Sequence, residues 1–160
     1  SASAGELNLA MYIQDLCEQG LTFQEISKRA EAYRDDMKTY FVLESLDNLR
    51  KNGRLSGLQA FFATTLNIKP IMAGDRGVIV KIDQARGISK ALQRMCDHAV
   101  QSVADTKDRG LVIAHCNCPS RAMLVKDEME KRGGFKEIIV TETAGVATVY
   151  ANDGGIVIAL

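Results

Sequence analysis

The residues best equipped for chemistry in this sequence are His115-Cys116-Asn117-Cys118, where metal-type and nucleophilic side chains crowd together. A structural zinc site needs four ligands, commonly as two separated pairs, and no second pair stands elsewhere in the chain. The only other imidazole, His98, falls in the middle of a predicted helix. The tetrapeptide therefore reads as a strand-end histidine beside two unligated thiols, and no metal is expected. A cysteine nucleophile is the sharper alternative. Neighbours in a strand point to opposite faces, so His115 cannot serve Cys116. Cys118 falls at the start of the next helix, where the dipole lowers a thiol pKa. A transferase using Cys118 or Arg86 stays open on this ground, although no general base can be named for it.

Two glycine-bearing stretches bear on anion binding. Gly53-Arg54-Leu55-Ser56-Gly57 offers backbone amides and a guanidinium. It lacks the glycine spacing and Lys-Ser/Thr ending of a P-loop, and it follows a helix instead of a strand. Asn152-Asp153-Gly154-Gly155 reads as a turn before the last strand. Both are loops on local grounds. Leu58, Phe61, Phe62, Leu66, Met95, Met123 and Met129 make apolar stripes that either fill a core or line a slot for an alkyl chain. Methionine suits both uses, and the pattern does not separate them.

The elements that must position these groups follow from composition and rhythm. Of 160 residues, 46% are hydrophobic and 25% charged, with only 2 prolines, which excludes disorder and fits a folded α/β protein. Twenty basic and twenty acidic residues cancel, and no long basic run supplies the field that nucleic-acid binding needs. The dense positive stretches, Arg50-Lys51 with Arg54 and Lys131-Arg132, fall at helix ends, where they complement the dipole. No window approaches the ~20 apolar residues of a membrane span, and no basic segment followed by an apolar core indicates secretion. A cytoplasmic setting with four free thiols, Cys17, Cys96, Cys116 and Cys118, is the expectation.

Ser3 and Glu6 form a capping-box pattern before a helix that Gly20 ends, and Thr22 with Glu25 opens a second helix running to about Tyr33. Tyr40 to Leu43 reads as a strand, Ser45 to Gly53 as a short helix, and residues 57–66 as another. Strands over 68–73 and 78–82 flank the turn Gly74-Asp75-Arg76-Gly77. A long helix carries Ile88 to Val103. It is followed by a strand over 111–115, a helix over 119–132 with Pro119 near its start, and a strand over 135–141. A glycine-containing segment over 144–153 leads to a last strand at 155–160. The pattern specifies an α/β fold: a mixed sheet of about six strands covered by helices and preceded by a helical pair. The boundary falls in the charged stretch Arg34 to Lys38, dividing the chain into 1–36 and 37–160.

Several motifs, in order, resemble the DegV family. Leu46 to Leu55 is similar to that family's LxxLxxxGRI segment, and Leu66-Asn67-Ile68-Lys69-Pro70-Ile71 to its LNIKPIL. Gly77 after a turn, the pair Arg86-Gly87 opening a helix, and Ile113-Ala114-His115 continue the series. Ser1-Ala2-Ser3-Ala4-Gly5 resembles the serine-rich stretch before two helices that close the family's N-terminal domain. The resemblance thus implies that residues 1–36 end that domain, that 37–160 form the C-terminal lipid-binding domain, and that the N-terminal DegV domain is missing from this chain.

What the resemblance implies about function is a carrier without catalysis. One long-chain fatty acid is held between two α/β domains and presented by its carboxylate to a partner fatty acid kinase for phospholipid synthesis, with no other cofactor. By motif matching, Ser3, Arg86 and Tyr150 face the carboxylate. Arg54 and Gly154 belong to the head-group network or the domain junction, a partner-docking role for Arg54 being equally open. Leu58, Phe61, Phe62, Leu66, Ile68 and Met95 line the acyl tail. Tyr150-Ala151-Asn152-Asp153-Gly154 stands where the family often has HxGPG, so a phenol replaces an imidazole. A phenol donates a hydrogen bond but carries no positive charge. A non-catalytic interaction module without ligand is the remaining alternative.

Overall fold

The computed structural model describes residues 2–55 and 67–160. The expected helix over 57–66, with Leu58, Phe61, Phe62 and Leu66, lies outside the described residues. Helix α1 spans Ala4–Glu18 and α2 spans Phe23–Asp36. Thr22 forms its capping box: its hydroxyl accepts from the Glu25 amide, and the Glu25 carboxylate accepts from the Thr22 amide at 2.9 Å. The matching pattern at Ser3 does not form. Ser3 has φ 53° and ψ −125°, its hydroxyl caps nothing, and the Glu6 amide bonds to the Ser3 carbonyl instead. Such a backbone costs about 1–3 kcal/mol in a non-glycine residue and must be held by its surroundings.

Beyond the helical pair run β1 (Thr39–Val42), α3 (Asp47–Lys51), β2 (Ile68–Asp75), β3 (Val78–Arg86) and α4 (Ile88–Gln101). Then come β4 (Gly110–His115), α5 (Pro119–Arg132), β5 (Glu137–Glu142), α6 (Gly145–Ala151) and β6 (Ile156–Ala159). The six strands form one sheet in the order β3-β2-β1-β6-β4-β5. β4 and β5 are parallel, joined by the α5 crossover; the other pairings are antiparallel. This is the mixed α/β sheet the sequence specifies. The β2–β3 hairpin closes through Arg76 (φ 47°) and Gly77 (φ 85°), two left-handed residues that match the strands' twist. Both hairpin strands run further than expected, because the polar Asp83 and Gln84 sit on an edge strand where polar positions are tolerated. Helix α6 was expected as an irregular connection. Its glycine, β-branched residues and unoccupied N-cap give it little local helical preference.

Helices α4 and α5 cover one face of the sheet, and α1, α3 and α6 lie on the other. Helix α1 is fixed by a buried asparagine. Asn8 donates to the carbonyls of Gly110 and Ala159, each at 2.9 Å, and accepts from the Tyr33 hydroxyl at 2.8 Å. Tyr33 in turn stacks on Tyr12, with ring centroids 4.1 Å apart. Residues 1–36 and the sheet of 37–160 are therefore in direct, polar-matched contact.

Candidate functional site

A cavity of about 660 Å³ lies on the α1, α3 and α6 face, within the range of small-molecule sites. Its floor is a row running across the strands. Phe41 of β1 is opposite Val157 of β6, Val157 is opposite Ala114 of β4, and Ala114 is opposite Thr141 of β5. Directly paired residues share a face, so four strands contribute one side chain each to a path of roughly 14 Å. Thr39 and Leu43 extend the floor along β1 at the same two-residue period. The walls are the start of α1 (Ala2, Ser3, Ala4, Glu6, Leu7), the inner side of α6 (Val146, Ala147, Tyr150, Ala151), and Leu49 with Arg54. Gly77 and Ile79 close the hairpin side. Much of the lining is alanine or glycine, and these small side chains leave the space open.

The polar members of the lining include Ser3 and Glu6 of α1, Thr141 and Glu142 at the end of β5, and Thr143 just after it. The Ser3 hydroxyl, the Arg54 guanidinium and the Tyr150 hydroxyl are among the cavity-lining donors unengaged by other described residues. Ser3 also sits at the amino end of a 15-residue helix, where the dipole favours an anion. Its strained backbone turns the hydroxyl away from capping.

The other predicted residues lie elsewhere. Arg86 is exposed at the end of β3, across the ladder from Ile68, the first residue of β2, and neither lines the cavity. Met95 is fully buried on the opposite face, among the residues packed under α4. Gly154, at φ 79°, has both backbone groups in use: its amide donates to the Cys116 carbonyl, and its carbonyl accepts from Arg121. A Cβ there would meet the Arg121 guanidinium at 2.8 Å and Glu44 at 2.9 Å. Glu44 bridges Arg121 and Lys69. Burial works to raise its pKa, yet the hydrogen bonds from those cations outweigh it and hold the carboxyl below its ordinary value.

The sequence reading did not select Thr141, Ala147 or Val157. Alternation along β6 and the α6 segment was visible, but which parity faced open space was not.

His115 and Cys116 do face opposite sides, as strand geometry requires. The His115 Nδ1 accepts from the Cys118 amide at 3.3 Å and so closes the start of α5. An imidazole accepting there carries its hydrogen on Nε2 and offers no lone pair to the thiol. Burial, above all, pushes the Cys118 thiol up from its ordinary pKa, and Cys96 is pushed to about 12 for the same reason. Among the described residues no group of three or more His, Cys, Asp or Glu side chains could hold a metal, and no helix is long and apolar enough to cross a membrane.

The family model of DegV, a family described as uncharacterised proteins, matches residues 1–160. A DegV domain-containing protein of Streptococcus pneumoniae is 31% identical over 157 residues, covering 97% of this chain and 55% of the relative. The chain thus spans about half the length of the curated relatives it matches. The crystal structure of a DegV family protein from Ruminococcus gnavus with vaccenic acid shares 45% identity. It superposes with a TM-score of 0.96 over 100% of this chain and 57% of that one. The Streptococcus pneumoniae Fatty Acid Kinase (Fak) B3 protein, loaded with linoleic acid, shares 30% identity at a TM-score of 0.82, over 94% of this chain and 53% of that one.

Proposed function

The chain belongs to the DegV family, and on that footing we propose that its cavity receives the tail of a long-chain fatty acid and that the protein is a carrier without catalysis of its own. The transverse floor of Phe41, Val157, Ala114 and Thr141 carries the reading, because it is a path of three apolar side chains that ends at a threonine and runs through a mostly apolar cavity. Burying a tail contributes about 0.8 kcal/mol per methylene, so a ~16-carbon chain supplies ample affinity after ordering costs. The carboxylate still needs hydrogen bonds where it enters, or its desolvation offsets much of that gain. Ser3 at the α1 terminus is the first such donor, with Tyr150 lending a neutral phenol and Arg54 a charge at the rim.

Residues 1–36 close a preceding domain that supplies the rest of the clamp, and 37–160 form the lipid-binding domain. Arg86 and Gly154 act at the head-group side or domain junction. The loaded carrier presents its acid to a fatty acid kinase for phospholipid synthesis, in the cytoplasm, where ATP is at hand and the four thiols stay reduced. The resemblance to a protein named for a fatty acid kinase system supports this step. Purified from bacteria and denatured, the full-length protein should release a long-chain fatty acid detectable by mass spectrometry. Protein recovered empty that also fails to bind cis-parinaric acid, a fluorescent fatty acid, would sink the carrier reading in favour of a ligand-free module.

A further inference from the structure

Helix α6 forms a wall of the cavity yet has little to hold it by packing. It is seven residues long, buries only Ala151, and leaves Val146 68% and Val149 54% exposed. A helix of that length does not persist by itself. What retains it is a pair of asparagines. The Asn48 side-chain amide donates to the Val149 carbonyl at 2.6 Å and to the Asn152 side-chain oxygen at 2.8 Å. The Asn152 amide group donates to the Ser45 carbonyl at 3.2 Å, so the end of α6 is fastened to α3 through Asn48 and to the β1–α3 connection through Ser45. Asn152 holds φ 56° with ψ 167°, a region otherwise almost confined to glycine, so its side-chain bonds must hold the backbone there.

Tyr150 lies between the two fastened positions, 149 and 152. Its ring lines the cavity, and its hydroxyl is unengaged by other described residues. We propose that Asn48, acting with Asn152, is a positioning residue: it sets the register of α6 so that the Tyr150 phenol is held toward the bound ligand. The inference rests on the fatty-acid reading and deepens it, by assigning the ligand-facing wall to a side chain that itself touches no ligand. An aspartate at 48 would bring its oxygens against the Val149 and Asn152 oxygens, and an alanine would leave both without their donor.

The test measures binding and release of cis-parinaric acid by the full-length protein carrying Asn48→Ala, Tyr150→Phe, or both. Asn48→Ala should speed release roughly three- to tenfold, the reach of one lost hydrogen bond, and Tyr150→Phe should do the same. The double variant should be no worse than Tyr150→Phe alone, because both changes remove one interaction. Asn152→Gly is the second variant. Glycine suits the left-handed backbone there, so the fold is kept while the side-chain amide is deleted, and faster release is again expected. Unchanged release in Asn48→Ala and Asn152→Gly overturns the proposal. So do effects of Asn48→Ala and Tyr150→Phe that simply add, since loosening of the fold would act independently of the phenol. A wild-type protein that never binds the probe removes the fatty-acid reading itself, an outcome distinct from either.

Discussion

On the face toward α4 and α5, the row Ala73, Tyr40, Ile158, Ile113 and Val140 crosses five strands, and every member packs into one continuous core with Met95, Cys96 and Met129. One residue on along β1, β4 and β5 and one back along β6, the row Phe41, Val157, Ala114 and Thr141 crosses four of these strands on the other face and meets a cavity of about 660 Å³. The backbone is shared, so the difference comes from the covers. Two 14-residue helices seal the first face. Among the described residues, the second is covered by α1, held close over alanines, and by the short α3 and α6. A pleated sheet thus carries a sealed and an open face without any change in its strands.

Substitutions that treat the faces differently can break this contrast. The largest effect belongs to the sealed face. Met95→Ala empties a fully buried site and should cost about 2–5 kcal/mol in urea unfolding, with cis-parinaric acid affinity unchanged in the folded protein. Altered chain-length preference in that variant would show that the acyl tail reaches α4 after all.

Next comes the joint between α1 and the sheet. Asn8→Ala strands the Gly110 and Ala159 carbonyls and the Tyr33 hydroxyl, for a loss of about 1–3 kcal/mol and faster amide exchange along α1 and α2. Exchange confined to α6 would instead mark that helix as the weaker cover. On the open face, Val157→Phe should fill the floor and weaken cis-parinaric acid binding at least tenfold, equivalent to about 1.4 kcal/mol. Its unfolding midpoint should move less than that of Met95→Ala, because the cavity has room for the ring.

The smallest effect is a pH dependence at the margin between the faces. The Glu44 carboxyl is held below its ordinary value of 4.5, burial opposing and the Lys69 and Arg121 hydrogen bonds prevailing. Stabilisation from a depressed carboxyl is present above the unfolded pKa and is lost as pH falls through the folded one. Acid titration of stability should therefore show a component below about pH 4.5 that Glu44→Gln removes. An identical acid limb in the variant would assign that component to other carboxylates.

Much of this architecture was legible in the residues. Thr22 and Glu25 marked a real capping box, Gly77 a real hairpin turn, and Pro119 the start of α5. These are local rules, satisfied within a few residues. Helix α6 was missed because its fastening comes from Asn48, about a hundred positions away in sequence. The Ser3 capping box failed for a related reason: the pattern was present, but the backbone at φ 53° aims the hydroxyl elsewhere. The position of the cavity was least legible. Both parities of β1, β4 and β6 are apolar, so alternation shows that two faces are covered without showing which cover leaves a gap. Met95 and Val157 are equally greasy in sequence and lie on opposite sides of the sheet.

The place of β6 between β1 and β4 has a consequence for how the chain matures on the ribosome. The hairpin side, β3-β2-β1, and the pair β4-β5 share no backbone hydrogen bonds until residues 156–159 slot between them. Two half-sheets must wait, with their inner edges bare, for a strand made long after β1. Long-range closure of this kind is slow, and it leaves a window in which a chaperone, or a neighbouring nascent chain, competes for those edges.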